Sequence, residues 1–369
     1  MLTQPKSSKV SSSLPERFLL SADHYTNPAW LQVERTQIFQ RTWLYVGDGA
    51  RLGVGQVWVT QVVGQPVVIT CTAPDQFQAF HNVCPHRASL LCNELGIQSP
   101  KRLICPYHAW VYDLDGCLVG VPSQQKFSDS FNPSDYALKP IRLETWCGFL
   151  FICFTDDAPG LHSFLGSIPT HLGHHRRRET RLLLTQRKTV ACNWKNFHDN
   201  TLCDYHVAIA HRNTLHKVQG PIKHYKHQLE TYVNLLLTPV LASWQTEDSV
   251  LTDLPELGRT SFLTYGIFPN VHHRGLPNGI LAWLYIEPLT TDTCELSSEV
   301  YGIPALSPPI ETLKADFDAF TNEDIALTES VQTGYASGAY QPGPVNQLEA
   351  RIVHQQQLIL KFLQSDKNP

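Results

Sequence analysis

The chain contains no run of about 18 to 20 consecutive apolar residues, the length a helix needs to span a bilayer. It also lacks a long block of like charge. Charged residues make up 17% and the formal net charge is -4, so neither a membrane nor nucleic acid is expected as a partner. Arg176-Arg177-Arg178 is a short basic run and reads as a solvated surface turn. Met1 to Pro15 contains Ser and Lys but no apolar stretch of the secretory kind, and reads as a disordered leader. Without a secretion signal, the ten Cys are expected to be reduced rather than paired. Cys71, Cys117, Cys147, Cys153 and Cys192 sit among apolar neighbours and read as small buried hydrophobes. Internal repeats and low-complexity tracts are missing too. The expectation is a soluble, cytoplasmic, globular protein.

What is present begins with length. The 369 residues, 42% of them apolar, suffice for two domains with sizeable cores. Asn27-Pro28-Ala29-Trp30 predicts a helix start, and Leu31, Glu34, Ile38 and Phe39 follow at roughly helical spacing. From Trp43 to about Phe154 the signals are short strands, such as Val57-Trp58-Val59, Val67-Val68-Ile69-Thr70, Phe77-Gln78-Ala79-Phe80 and Leu150-Phe151-Ile152. Turns at Val63-Gly64-Gln65-Pro66 and Ala73-Pro74-Asp75 separate them. This predicts an all-β module. After Asp156 the pattern predicts a helix over Thr189 to His211, strands over Gln228 to Trp244 and Leu281 to Ile286, and helices over Ile310 to Gly334 and Val345 to Phe362. Strands flanked by helices predict an α+β domain.

Cys84-Pro85-His86 and Cys105-Pro106-Tyr107-His108 are two matched motifs, each following an apolar run, Ala79-Phe80 and Leu103-Ile104. Each offers one thiolate and one imidazole. A Rieske [2Fe-2S] cluster needs this mixture, two Cys on one iron and two His on the other, and the neutral imidazoles raise its reduction potential. A Cys2His2 zinc site takes the same ligand types, but a zinc finger orders them as a Cys pair followed by a His pair.

A second candidate site lies in Asn193 to His206, followed by His211. Non-haem iron(II) oxygenases hold iron with two His and one carboxylate on one face, leaving positions open for oxygen. His206 and His211 are five apart, which in a straight helix sets them roughly 140° apart. They converge only if the helix is broken or bulged. On spacing alone, two ordinary partly buried histidines fit as well.

Cys84-Pro85-His86-Arg87, Cys105-Pro106-Tyr107-His108-Ala109-Trp110, Asp115-Gly116 and Trp43-Leu44-Tyr45-Val46-Gly47 together resemble the Rieske domain of the aromatic-ring-hydroxylating oxygenase α subunits. Asn193-Trp194-Lys195, Asp204-Tyr205-His206 and His211 resemble the same family's catalytic motif, and Asn322-Glu323-Asp324-Ile325 its distant carboxylate segment. The segments Glu329 to Gly334 and Tyr340-Gln341-Pro342-Gly343 are similar to the choline, glycine-betaine and carnitine monooxygenase branch.

The resemblance implies an N-terminal all-β Rieske domain at 43–155 and a helix-grip-like catalytic domain, with an antiparallel sheet and helices, at 156–369. Residues 1–42 would be a leader and a helix joined to the catalytic body. It implies a [2Fe-2S] cluster on Cys84, His86, Cys105 and His108, and a mononuclear Fe(II) on His206, His211 and Asp324, with Glu323 the alternative acid. Asp324, Leu327, Thr328 and Val331 share one helical face, which would turn Asp324 inward. The family places a bridging carboxylate three residues before the first His ligand. Here Cys203 stands there, and Asp204 one place later, so either position could carry the bridge between subunits.

The implied activity is that of a terminal oxygenase, mono- or dioxygenating. It would use O2 and electrons from NAD(P)H, delivered by a separate reductase or ferredoxin, to hydroxylate or dealkylate a small organic substrate. A head-to-tail homotrimer is implied. A Rieske electron carrier without oxygen chemistry and a zinc-binding interaction module are the competing readings. Trp283, Tyr285 and Glu287, with Phe268 and Tyr265 near, read as core or as a box for an ammonium group. His272-His273 is expected in a loop, and His171, His174 and His175 in a polar surface loop.

Overall fold

The computed structural model describes residues 14–241 and 251–364. Three antiparallel sheets organise them. The first runs, in spatial order, Leu44–Asp48, Phe149–Cys153, Pro140–Trp146, Gln76–His81, Gln65–Ala73, Val57–Val62 and Gly96–Gln98. The predicted strands and turns all fall within it. The Val63-Gly64 reversal has positive φ at both residues, which matches the twist of the strands that it joins. A small sheet of Leu103–Ile104, Val111–Tyr112 and Leu118–Gly120 stands beside it. At Gly116 (φ +81°) a Cβ would come within 2.6 Å of the Phe80 ring, so the Asp115-Gly116 turn closes against the strand that leads to the first Cys motif.

The third sheet runs Arg181–Val190, Cys294–Gly302, Leu281–Pro288, Val271–Gly275, Ser261–Ile267, Val233–Pro239 and Lys226–Leu229. Helices Trp194–Thr201, Ile310–Ala336 and Ala350–Gln364 accompany it. Lys188 Nζ donates to Asn322 at 2.8 Å, Asn196 Nδ2 donates to the Thr328 carbonyl at 2.9 Å, and Arg351 Nε donates to Asn234 at 2.8 Å, which locks helices and sheet together. Among the described residues no helix is long and apolar enough to cross a membrane.

Aromatic side chains join the first and third sheets. Tyr45 stacks on Trp283 with centroids 4.3 Å apart, and Phe149 meets Trp283 and Tyr301 edge-on. Each such pair contributes about 0.5–1.5 kcal/mol beyond its buried area. Trp283 and Tyr285 therefore belong to this core, not to an ammonium box. Glu287 accepts the Val63 backbone N–H at 2.7 Å. The helix Pro28–Gln37 starts at Asn27, whose side chain caps Ala29, as its sequence predicts. Its Glu34 is buried with Lys195, accepting from Nζ at 2.5 Å and from the Trp194 indole at 2.8 Å. This pairing explains the charge in Asn193-Trp194-Lys195.

Several expectations are corrected. Thr189 to His211 is not one helix: Thr189 and Val190 end a strand, Asn193 caps a helix that stops at Thr201, and a single turn, Val207–Ala210, follows. Gln228 to Trp244 is not one strand, because the chain reverses at 230–232; its end beyond 241 lies outside the described residues. His272 and His273 lie in the strand Val271–Gly275, not a loop. His175 is fully buried and His171 Nδ1 sits 2.5 Å from the Tyr265 hydroxyl, so of the three expected surface histidines only His174 is exposed. Of the presumed buried thiols, Cys71, Cys153 and Cys192 are buried, Cys147 is half-buried, and Cys117 is exposed in its hairpin. No described cysteine is in a disulfide.

Candidate metal centres

The two Cys motifs are geometric twins. Cys84 N–H donates to the Ser89 carbonyl and Ala88 N–H to the Cys84 carbonyl, at 2.8 and 2.9 Å. Cys105 N–H donates to the Trp110 carbonyl and Ala109 N–H to the Cys105 carbonyl, at the same two distances. Ala88 and Ala109 both take left-handed conformations, with φ of 56° and 53°. A non-glycine residue there costs about 1–2 kcal/mol, and two repeats of that cost mark a shape that the loops are held to. The loops face each other. The His86 and His108 rings lie 4.5 Å apart, and the thiols of Cys84 and Cys105 touch.

The donor set fits a Rieske cluster on an observation independent of the motif. Nδ1 of both His86 and His108 is buried without a hydrogen-bond partner among the described residues. Two such orphans side by side are expected only where something else satisfies them. Burial pushes the Cys84 thiol up, while backbone N–H groups of Tyr107 and His108 outweigh burial and hold the Cys105 thiol below its usual value. The Tyr112 hydroxyl, 3.5 Å from Cys84 Sγ, was not singled out from sequence. Hydrogen bonds to the sulfurs tune such a cluster's potential.

The second set is as compact. His206 Nε2 and His211 Nε2 are 3.1 Å apart, and Asp324 Oδ1 is 3.4 Å from the first and 3.0 Å from the second. Donors about 2.1 Å from one metal ion at right angles lie about 3 Å apart, so these three atoms suit one face of an ion. Among the described residues this is the group of His, Cys, Asp and Glu gathered closely enough for a metal. The two His flank the single turn Val207–Ala210, and His211 (φ -96°, ψ 30°) has left helical geometry. That departure brings together side chains that a straight helix would splay. Burial alone would lower His206 and raise Asp324, but Asp324 and Cys203 beside His206 carry it to about 10, and the two imidazoles carry Asp324 to about 2.

The neighbouring acids divide. Glu323 Oε2 accepts from His211 Nδ1 and from Thr214 Oγ1, both at 2.7 Å, and so orients the imidazole from behind. Asp204 is buried, 2.8 Å from His227 Nε2 and 3.2 Å from Arg351 Nη1. Cys203, by contrast, lines an open groove of about 700 Å³ with His206, Leu327, Val331, Tyr335 and Tyr340. Leu327 and Val331 are exposed there, so the buried stripe of the long helix is Asp324, Thr328 and Gln332 rather than the face expected. On the other side a small cavity touches His206, His211 and Asp324, and Leu215 and Arg274 connect it to one of about 420 Å³.

Two facing Cys-and-His loops and a group of two His and one Asp are the donor sets that a Rieske non-haem iron oxygenase requires. Comparison with known proteins agrees. Residues 170–365 match the ring hydroxylating alpha subunit (catalytic domain) and residues 42–142 the Rieske [2Fe-2S] domain. The chain belongs to the ring-hydroxylating oxygenase alpha-subunit family. It is 26% identical over 370 residues to the glycine betaine monooxygenase oxygenase subunit of Chromohalobacter salexigens, covering 90% of this chain and 81% of that one. It is 28% identical over 334 residues to the carnitine monooxygenase oxygenase subunit of Escherichia coli, covering 88% and 86%. The fold matches the quaternary ammonium Rieske monooxygenase CntA with L-carnitine (TM-score 0.77, 23% identity, 96% of this chain and 100% of that one). It also matches naphthalene 1,2-dioxygenase from Rhodococcus sp. (TM-score 0.77, 18% identity, 94% and 95%). The protein is thus an oxygenase component that takes O2, a small organic substrate and electrons from a separate reductase or ferredoxin. A bare electron carrier would not need the catalytic domain.

Proposed function

We propose that Cys84, His86, Cys105 and His108 hold the cluster and that His206, His211 and Asp324 hold the mononuclear iron of this oxygenase. The observation that carries the second assignment is the convergence of three donor atoms from two distant segments, all within 4.8 Å of one another. When bound, the pair of groups supplies electron transfer and oxygen activation. The residues' own work is to shape that site. Glu323 keeps the proton of His211 on Nδ1 and leaves Nε2 free as a donor to metal. Asp204 anchors the segment within its own subunit through Arg351, and Cys203 is the residue that faces the groove beside His206.

We read 43–155 as the Rieske domain, 156–369 as the catalytic domain, and 1–42 as part of the catalytic body, a division supported by the Glu34 contacts with Trp194 and Lys195. The reading includes a head-to-tail trimer, which two different exposed surfaces support. One is the cluster tip, where Tyr107 and Ile104 are more than half exposed. The other is the groove at Cys203, flanked by exposed Leu327, Val331 and Tyr205. Unlike surfaces on one chain can make a heterologous contact, which gives a ring where the rotation between neighbours closes. The cytoplasm, with its reduced thiols and NAD(P)H, is the setting that this reading expects.

The relatives named above act on glycine betaine and carnitine, and we extend to this chain the oxidation of a small polar organic molecule. The site assignment is tested with His206→Ala. The variant should keep the cluster's absorption and reduced-state spin signal while turnover with a surrogate reductase falls to background. Turnover near the wild-type rate would show that the iron site lies elsewhere.

A further inference from the structure

The cavity of about 420 Å³ is walled mainly by apolar side chains, among them Leu276, Ile280, Phe317 and Phe320. Two cations line it among the described residues, Lys217 at its exposed edge and Arg274 further in. Arg274 lines both this cavity and the small one at His206, His211 and Asp324. It lies in the strand Val271–Gly275, where alternation sends His272 and Arg274 to the cavity face. His273 goes to the other face and stacks on Trp283 at 3.6 Å. His272 is 3% exposed, and its Nε2 has no hydrogen-bond partner among the described residues.

The charges around Arg274 are spoken for elsewhere. Asp204 is held by Arg351 and His227. Asp324 is held by His206 and His211 and would face the metal. Asp316 and Lys217 both line the larger cavity only, and both are exposed. Arg274 itself makes no ion pair and no side-chain hydrogen bond among the described residues; its guanidinium lies 5.1 Å from the centre of the Phe320 ring. The charges of Asp324 and Asp204 act on it from a distance, but among the described residues no carboxylate pairs with it directly, and a guanidinium in a mainly apolar cavity without a paired anion is costly unless a ligand neutralises it. Its planar fork matches a carboxylate with two parallel hydrogen bonds, and His272 offers a third polar atom beside it. A single guanidinium suits a single negative charge.

We propose that Arg274, with His272 beside it, binds a carboxylate of the substrate, and that the substrate is an organic acid whose apolar body fills the larger cavity. This names the substrate class of the oxygenase site and rests on that reading for the word substrate. A cation that carries no acid group is repelled at Arg274.

The test is calorimetric titration of the iron- and cluster-loaded enzyme with hexanoate and benzoate, with the isosteric hexanamide and benzamide, and with choline. The acids should bind at least about tenfold more tightly than the amides, as expected for a charge-assisted fork. Arg274→Gln should lose that advantage, with amide affinity within about twofold of wild type, and Arg274→Lys should regain part of it. The cluster spectrum and the thermal midpoint report whether each variant folds. If Arg274→Gln does not fold, the wild-type contrast between acid and amide decides alone. Equal affinity for acids and amides, no acid binding, choline binding in place of the acids, or unchanged acid affinity in a folded Arg274→Gln each overturns the proposal. Acid binding through Arg274 in a protein that never consumes O2 would sink the oxygenase reading instead and leave the anion site standing.

Discussion

Glu323 and Asp324 are adjacent acids on one helix, yet a rotation of about 100° between neighbours gives them different tasks. Asp324 turns its Oδ1 to the two imidazole Nε2 atoms, and Glu323 reaches the far nitrogen of His211. Carboxylates behind metal-bound histidines fix ring and tautomer, and their loss costs about 10–100-fold in metal affinity. Glu323→Ala should therefore lose iron from the mononuclear site at that scale, measured as iron retained after dialysis against a graded chelator. The cluster spectrum should not change. Retention equal to wild type would reduce Glu323 to a surface acid. The sequence favoured Asp324 over Glu323 through a shared helical face, but two of that face's four members, Leu327 and Val331, are exposed, because spacing alone does not fix the phase of a helix against distant histidines. The pair His206 and His211 was hidden for a related reason. Its convergence depends on a break after Thr201 and a bent residue at His211, and neither leaves a strong mark in residue type.

At the scale of elements, the twin Cys loops were legible because everything they need is local: ligands, Pro, and a turn within six residues of each Cys. The strands of the first sheet were legible through alternation and turns. The aromatic seam between sheets was not, since Trp283 could belong to a core or to a ligand box until its partner Tyr45 was known. That seam contains an element-level liability. Glu287 lies opposite Glu295 in the ladder and is tied to the Val63 turn of the other sheet. Burial first, and Glu295 after it, push Glu287 up to about 7 from 4.5. Between those two values the folded protein keeps a proton that the unfolded chain releases, so stability falls as pH rises through the window and the full cost is present above 7. Glu287→Gln keeps an oxygen for the Val63 N–H and removes the charge. It should stabilise the protein at pH 8 by on the order of 2 kcal/mol and by little near pH 4.5. Thermal midpoints at the two pH values measure this; an equal shift at both would mean that the charge is not the cause.

For the whole molecule, the decisive question is whether a cluster serves the iron of its own chain or of the next. The cluster tip and the Cys203 groove are both exposed on the single chain, and they are unlike in shape and composition. If they meet between subunits, inactive chains can rescue one another. On the proposed assignment, Cys84→Ser removes a cluster ligand but leaves the iron site, and His206→Ala does the reverse. Neither variant alone should turn over. Co-expressed in equal amounts, and assembled head to tail as proposed, they place a working cluster before a working iron at about one contact in four, by random assembly around a closed ring. Activity should then recover to about a quarter of wild type per subunit, with total iron and sulfide measured on the same sample to normalise it. Transfer inside each chain predicts no recovery at all, because no mixed ring contains a chain with both centres intact. Rescue that appears only after co-expression, and not on mixing assembled proteins, would further show that the ring is long-lived, since subunits that exchanged freely would complement in the tube.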